Sequence, residues 1–190
     1  DIEKGTVVTL TDPKTHWAGV PRVSPDGNQI VLGGQEKHGQ SYSQYRNQIW
    51  ILNRDGPLSR LDSKRGWAPF WSPDGKWIVF ASDRNSESGL SAIFLASADG
   101  ATIRQLTPLK LNAGHPTWSP DGDEIAFGSE REETLEIYTL SLRGGVSRRL
   151  TRHARRDVAP SWSPDGGRVA YESHDHGDTS TLRVVDAAGG

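Results

Sequence analysis

The sequence predicts an all-β protein, a β-propeller built of four-stranded antiparallel blades, and three observations lead to this prediction. First, the tetrapeptide Ser-Pro-Asp-Gly occurs four times in 190 residues, beginning at Ser24, Ser72, Ser119 and Ser163. These starts are 48, 47 and 44 residues apart, a period typical of propeller blades. Second, short β-branched and aromatic runs, which favour strands, follow each copy. Third, 21 Gly and 11 Pro with only 34% hydrophobic residues suit many short strands joined by tight turns.

The repeated tetrapeptide has the chemistry of a tight turn. Proline fixes φ near −65° at the first corner, aspartate tolerates the second corner, and glycine accepts the left-handed conformation that follows. Proline also favours an extended conformation for the serine before it, so a strand runs directly into the corner. Each copy therefore predicts the turn between the first two strands of a blade, strands A and B.

Each repeat contains four segments that we assign to strands A to D. Strand A is a Pro-x-Trp segment before the turn, strand B an apolar run after it, strand C an Ile-Tyr type of run, and strand D a short Leu-Thr segment. We expect one domain over residues 1–190, with blade repeats at about residues 13–62, 63–107, 108–151 and 152–190. The last repeat lacks a strand D. Residues 5–11 align with strand D, so this closing strand is expected to complete the last blade and remove an open edge.

The pattern Pro-x-Trp-Ser-Pro-Asp-Gly-x-x-Ile-x-Phe-x-Ser, then Ile-Tyr and Leu-Thr, resembles the repeat of TolB-like β-propellers. It is also similar to the propeller domains of tricorn-type and prolyl-oligopeptidase-type proteases. The best-matching segments are residues 69–84, 116–131 and 160–173, and the first repeat departs from the pattern with Val23 in place of Trp. The resemblance implies a periplasmic or extracellular location. Such propellers usually carry six or more blades, which leaves three alternatives: a closed four-blade ring, a homodimer forming an eight-blade ring, or a ring completed by a missing segment.

Composition narrows the classes of partner. Lys and Arg total 22 and Asp and Glu total 24, so a net charge of −2 gives no reason to expect nucleic acid. The sequence holds no run approaching the roughly 18 apolar residues that span a bilayer, so we expect no membrane insertion. Cysteine is absent, which excludes disulfides and thiolate metal sites.

The candidate site follows from the layout of a propeller. Its A–B and C–D turns lie on one face and its B–C and D–A loops on the other. The A–B and C–D turns are monotonous here, whereas the B–C and D–A loops vary, and variable loops on a fixed scaffold usually carry binding groups. We therefore predict a partner-binding site on the B–C/D–A face and at the mouth of the central channel. Its candidate residues are His16, Trp17, His38, Tyr42, Tyr45, Arg46, Arg65, Trp67, Asn112, His115, Arg156 and Asp157.

Several of these assignments have alternatives. The first B–C connection, predicted over residues 33–47, combines aromatic planes with polar ends and suits peptide or sugar contact, but it could also be a solvated insertion. Trp67 and His115 could instead pack between blades. The repeated Trp71, Trp118 and Trp162 are assigned to the core, because a large ring at a fixed place in each blade fills the space between blades.

Metal and catalytic chemistry have weak support in the sequence. His174 and His176 could converge from one side of a strand, but zinc needs further ligands, so a polar B–C loop is favoured and no metal is predicted. We expect no cofactor. The chain has no Gly-x-Ser-x-Gly, His-Glu-x-x-His or Walker motif, so no residue is assigned as catalytic.

Taken together, these patterns predict a non-catalytic β-propeller scaffold that binds a protein or peptide. The alternative is an enzyme module, either a central-channel lyase or hydrolase or the substrate-gating propeller of a larger peptidase. A blade array with a purely structural role is a third hypothesis.

Overall fold

The computed structural model describes residues 9, 16–36, 47–54, 56–131, 134–152, 156–174 and 179–189. These residues form strands and one 3-10 helix, Leu109–Leu111, and include no helix long and apolar enough to cross a membrane. The strands are β1 (His16–Val23), β2 (Gln29–Glu36), β3 (Gln48–Asn53), β4 (Leu58–Arg60), β5 (Trp67–Trp71), β6 (Trp77–Ser82), β7 (Ala92–Ser97), β8 (Ile103–Gln105), β9 (Ala113–Trp118), β10 (Glu124–Arg131), β11 (Thr134–Ser141), β12 (Ser147–Arg149), β13 (Arg156–Trp162), β14 (Arg168–His174) and β15 (Ser180–Asp186).

The strands form four antiparallel blades, which confirms the predicted β-propeller fold. Blades 1 and 2 are separate four-stranded sheets, β1-β2-β3-β4 and β5-β6-β7-β8. Blade 3 contains β9 to β12 and blade 4 contains β13 to β15. A single parallel pair, Leu135 with Arg156, connects blades 3 and 4. The predicted closing strand lies outside the described residues except for Thr9, which is exposed and belongs to no strand.

Hydrophobic cores lie between consecutive blades. Blades 1 and 2 bury Ile49 and Phe80, blades 2 and 3 bury Leu95 and Phe127, and the cluster between blades 3 and 4 includes Tyr171. Trp71 and Trp118 are 4% and 6% exposed, which confirms their assignment to the core. A sheet this small cannot bury its faces alone, so each blade is stabilised by stacking on the next.

The Ser-Pro-Asp-Gly turns have the predicted form, with φ of 75°, 70°, 78° and 71° at their glycines, Gly27, Gly75, Gly122 and Gly166. In each turn the serine Oγ donates a hydrogen bond to the aspartate Oδ1, as Ser119 does to Asp121 at 2.6 Å. The same Oγ accepts the backbone N–H five residues after the serine. Each turn thus closes on its own side chains.

The C–D turn of blade 2 repeats this chemistry without the proline. Ser97 Oγ donates to Asp99 Oδ1 at 2.5 Å, and the Thr102 N–H donates to Ser97 Oγ at 3.0 Å. Gly100 follows with φ of 74°. Ser-x-Asp-Gly is therefore the chemical unit of these turns, and the proline is an addition to it.

On the B–C/D–A face, several strands extend further than the sequence analysis predicted. Strand A begins before the Pro-x-Trp segment in every blade, so His16, Trp17, Trp67, His115, Arg156 and Asp157 lie within strands, not in D–A loops as predicted. The first B–C connection begins later than predicted, because β2 continues to Glu36 and pairs Gly34 with Gln48. His174 likewise ends β14 instead of lying in a loop.

Candidate functional site

The innermost strand of each blade carries a bulge at the residue before its proline. Val20, Ala68, His115 and Ala159 have φ of 49°, 50°, 51° and 50°, the left-handed region that non-glycine residues rarely adopt. The pairing register of the A and B strands shifts beside each of them. Because such a bulge changes the direction of a strand without ending it, strand A can continue upstream past the proline. The proline therefore marks a bend in the strand and not its beginning.

These four bulges line one cavity of about 190 Å³ on the side of the blades where the innermost strands lie, and we call this side the channel. One tier of its wall consists of Val20, Ala68, His115 and Ala159, and the residues two positions later, Arg22, Phe70, Thr117 and Ser161, form a second tier. The Arg22 guanidinium lies 5.2 Å from the centre of the Phe70 ring. The cavity is thus mainly apolar, with a cationic side and two hydroxyl groups.

His115 is the titratable group of the first tier. Its side chain is exposed to the channel, yet the surrounding wall desolvates the imidazole and lowers the pKa of His115 from its ordinary value of 6.5. At neutral pH the ring is therefore uncharged and can both donate and accept a hydrogen bond. His115 is a predicted site residue, and the structure places it in the channel wall.

Arg65 belongs to an ion-pair network on the B–C/D–A face between blades 1 and 2. Its guanidinium pairs with Asp83, and its carbonyl oxygen accepts hydrogen bonds from Ser82 and Arg84. Arg84 is nearly buried, pairs with Asp62, and lies 4.7 Å from the centre of the Phe80 ring. The exposed part of Arg65 is 41% of its side chain, so a partner could reach it only beside an existing ion pair.

Asn112 closes the 3-10 helix and connects neighbouring loops. It adopts a left-handed conformation at the end of that helix. Its Oδ1 accepts the Ser91 N–H at 3.1 Å, and its Nδ2 donates to Glu130 Oε2 at 2.7 Å. These bonds hold the D–A connection against the B–C connection of blade 2 and against β10 of blade 3, which is a structural role.

Two further candidates are engaged in packing. Trp67 is half-buried and packs against the cluster between blades 2 and 3. Asp157 is fully buried, and its Oδ1 accepts the Ser173 hydroxyl at 2.7 Å. Its neighbour Arg156 is exposed and lies opposite His174 of β14 in the strand register. Of these three residues, Arg156 is the one that remains available on the surface.

The remaining predicted residues belong to blade 1 and to the predicted B–C connections. His16 and Trp17 lie in β1, opposite Glu36 and Gln35 of β2. The predicted loop residues His38, Tyr42, Tyr45 and Arg46 lie outside the described residues, as does His176. His174 Nε2 lies 3.3 Å from Glu172 Oε1, and the described residues contain no group of three side chains arranged to hold a metal.

The structure therefore brings together one group at the channel, centred on His115, and a second at Arg65. The sequence analysis missed Arg22, Thr117 and Ser161 in the channel wall. A signal for them was present, because each lies at the same offset after the repeated proline. To recognise it, one has to know that a bulge lies before the proline and that side chains alternate between the two faces of the strand after it.

Comparison with known proteins agrees with this geometry. A family model described as the TolB beta propeller domain matches residues 86–190. The chain is 27% identical over 113 residues to the uncharacterized peptidase YuxL of Bacillus subtilis (strain 168), covering 58% of this chain and 16% of the peptidase.

Solved structures share the fold at low identity. TolB from Acinetobacter baumannii superimposes with a TM-score of 0.75 at 22% identity, over 95% of this chain and 43% of TolB. A protein from Agrobacterium tumefaciens assigned as TolB gives a TM-score of 0.76 at 24% identity, over 92% of this chain and 64% of that protein. An oligogalacturonate lyase from Vibrio parahaemolyticus gives 0.71 at 18% identity, over 98% and 53%. The chain thus spans less than two thirds of each of these relatives.

Proposed function

Because the chain belongs to the TolB beta propeller domain family, we propose that it is a non-catalytic scaffold that binds a protein or peptide at the B–C/D–A face and the central channel. The size of the channel cavity is the observation that carries this proposal. Small-molecule sites usually measure about 300–1,000 Å³. The cavity of about 190 Å³ suits one inserted side chain of a larger partner.

The chemistry of the wall supports a partner side chain that is mainly apolar with a polar end. Val20, Ala68 and Ala159 offer an apolar ring, and the uncharged His115 offers one donor and one acceptor. Arg156 adds an exposed cationic group on the surrounding face, and Arg65 adds a half-buried one that is already paired with Asp83. Such a small apolar socket beside polar groups is typical of the anchor positions of protein interfaces.

The test uses peptides selected from a random phage-displayed library on the immobilised chain. We expect His115→Ala to weaken the selected peptides at least ten-fold at pH 7, and Arg168→Gln, on the opposite face, to leave them unchanged. Because protonation of His115 occurs below pH 6.5, wild-type affinity should be constant from pH 8 to 7 and change under more acidic conditions. Peptides that bind His115→Ala as tightly as wild type would place the site elsewhere.

A second candidate function is an enzyme module, and similarity to part of the peptidase YuxL favours it. In that case the propeller would admit or position substrates for chemistry performed by other residues or by the channel. Turnover of peptide p-nitroanilides or oligogalacturonate by the chain, abolished in His115→Ala, would support this candidate over the scaffold. Absence of turnover by the wild-type chain would contradict a catalytic channel.

A homodimer that forms an eight-blade ring is our proposal for how the end faces are covered. Leu182 and Val184 on blade 4 are 81% and 56% exposed, and Val23 on blade 1 is 61% exposed. These side chains occupy positions that are buried between blades elsewhere in the chain. Sedimentation equilibrium should show a dimer for wild type and a monomer for Leu182→Glu. A monomeric wild-type chain at all concentrations would overturn this proposal.

The family resemblance also supports a periplasmic or extracellular location as part of the proposal. Fractionation of cells that express the complete gene provides the test, and recovery in the cytoplasm would contradict it.

A further inference from the structure

A groove of about 330 Å³ opens between blades 2 and 3 on the face opposite the candidate site, and we call it the 2–3 groove. Its apolar floor consists of Trp77, Leu95, Trp118 and Leu142. The strand register explains this lining. Leu95 is the cross-strand partner of both Val79 and Arg104, and Trp77 lies two residues before Val79, so all of them share the side of blade 2 that faces blade 3.

The residues that line the 2–3 groove differ from those at the equivalent positions of other blades. Where blade 2 has Trp77, the register places Gln29 in blade 1 and Glu124 in blade 3. Where it has Arg104, blade 1 has Ser59 and blade 3 has Arg148. The groove is therefore not a general consequence of the repeat.

The two arginines also differ in their contacts. Arg148 Nη2 donates to the Ala187 carbonyl at 2.6 Å, which ties that guanidinium to blade 4. Arg104 is exposed, and its guanidinium has no hydrogen bond or ion pair among the described residues. It is thus free to bind an anionic group at the groove.

The groove has opposite charges at its two ends. Asp74 and Asp121 belong to the A–B turns near the channel, and hydrogen bonds from Ser72 and Ser119 lower the pKa of each carboxyl, so both are ionised at neutral pH. An exposed cation lies near each carboxylate: Lys76 Nζ is 4.0 Å from Asp74, and Arg143 contributes to the lowered pKa of Asp121. Arg104 lies on β8, the outermost strand of blade 2. The inner end therefore presents two ionised carboxylates, and the outer end presents one guanidinium without a partner in the described part of the chain.

The Trp118 indole lies in the groove wall and is 6% exposed. Its Nε1–H has no acceptor among the described residues, and the equivalent indole of Trp162 likewise has none. The equivalent indole of Trp71 donates to the Arg22 carbonyl at 3.1 Å. Trp118 therefore contributes its apolar ring to the groove, and Trp77 and Arg104 are the residues that distinguish this groove.

We propose that the 2–3 groove binds the carboxy-terminal end of a peptide, with its terminal carboxylate on Arg104 and a cationic side chain near Asp74 and Asp121. Neighbouring strands are about 4.8 Å apart, so strands B and D are separated by roughly 10 Å across the sheet. Arg104 lies level with Val79, about 7 Å along the strand from Trp77. An extended peptide covers about 3.4 Å per residue, so three residues together with an extended lysine side chain match this span. The residue between the charged ends places an apolar side chain on Trp77 and Leu142.

The test compares acetyl-Lys-Leu-Phe with a free carboxylate and the same peptide as its carboxamide, by isothermal titration calorimetry. We expect the carboxylate form to bind wild type roughly ten-fold more tightly than the carboxamide, the range of a charge-assisted hydrogen bond. Arg104→Ser, which installs the residue found at this position in blade 1, should remove that difference. Replacing the peptide lysine by norleucine should weaken binding to wild type.

Two further variants locate the binding. Trp77→Gln, which copies Gln29 of blade 1, should weaken both peptide forms because it removes the apolar floor. Arg168→Gln, at the matching place in blade 4, should leave both unchanged. Equal affinity for the carboxylate and carboxamide forms, or no binding of either at millimolar concentration, would overturn the proposal. So would loss of binding in Arg168→Gln equal to that in Arg104→Ser.

Discussion

Blades 1 to 3 and blade 4 carry the same type of side chain at equivalent positions but bury it to very different extents. The strand register aligns Leu182 of blade 4 with Ile49, Ile93 and Ile137. The three isoleucines are 0% exposed, whereas Leu182 is 81% exposed. The repeat therefore gives every blade an apolar face, and that face is buried only where another blade packs against it.

This comparison separates two contributions to stability. Hydrogen bonds of the turns and strands form within one blade, so they should have similar strength everywhere in the chain. Burial of the faces depends on a neighbour, and burying one large aliphatic side chain contributes about 1.5–3 kcal/mol. Substitutions at equivalent positions can therefore distinguish local from interblade stabilisation.

The largest expected effect comes from truncating the aligned aliphatic residues. Ile93→Ala should lower the free energy of unfolding by about 2–5 kcal/mol, because it leaves a cavity in the core between blades 2 and 3. Leu182→Ala should change it by less than about 0.5 kcal/mol in the monomeric chain, because the side chain is already exposed. Urea denaturation at submicromolar protein concentration provides the measurement.

Protein concentration serves as the control for this pair. If a second copy covers blade 4, the cost of Leu182→Ala should grow as concentration rises, while that of Ile93→Ala should not grow in parallel. An equal cost for both substitutions in the dilute monomer would show that the end face of blade 4 is already covered.

A smaller effect is expected from alanine at turn glycines. Gly100 has φ of 74°, and a Cβ there would lie 2.8 Å from the Leu61 carbonyl oxygen, so Gly100→Ala should destabilise the fold by more than about 2 kcal/mol. Gly27 has φ of 75°, but a Cβ there would meet no described atom within 4 Å. Gly27→Ala should thus lower the free energy of unfolding by only about 1 kcal/mol, the cost of placing a residue with a Cβ in a left-handed conformation. Thermal unfolding of both variants would sharpen the comparison, and equal losses would contradict it.

The smallest effect concerns the pH dependence of stability and should be the same in the turns of blade 1 and blade 3. Asp26 and Asp121 have a lowered pKa in the folded chain, first because of the serine hydroxyl that donates to each. Their contribution to stability is therefore complete above pH 3.8 and is lost as pH falls through the lower folded pKa. Urea midpoints from pH 5 to 2 should fall less steeply in Ser24→Ala and in Ser119→Ala than in wild type. A change confined to Ser119→Ala would show that the turns depend on neighbouring blades.

The sequence was sufficient to predict the blades because the information for them is local and repeated. Proline, aspartate and glycine at fixed offsets specify the turns, and the aliphatic runs specify strands B and C. The upstream extent of strand A was not predictable in the same way. It depends on a left-handed residue such as Ala68, whose conformation no local propensity favours and which packing around the channel must hold.

The candidate site was predictable only in part for a related reason. His115 was identified from its place before a repeated proline, but Asp157 and Trp67 also satisfied the composition of a surface site and are buried or packed. Whether a polar residue near a strand end points outward depends on the bulge that precedes the proline. The 2–3 groove depends on tertiary register, since Trp77 and Arg104 are 27 positions apart in the chain.

The shared chemistry of the Ser72 and Ser97 turns has a consequence for how such a protein can arise and change. Both hairpins of blade 2 are closed by the same Ser-x-Asp-Gly bonds, one within A–B and one within C–D. The smallest module that specifies its own shape is then a hairpin and not a whole blade. Duplication, loss or exchange of genetic segments half a blade in length would preserve correctly formed turns, and only the packing of the faces would have to adapt.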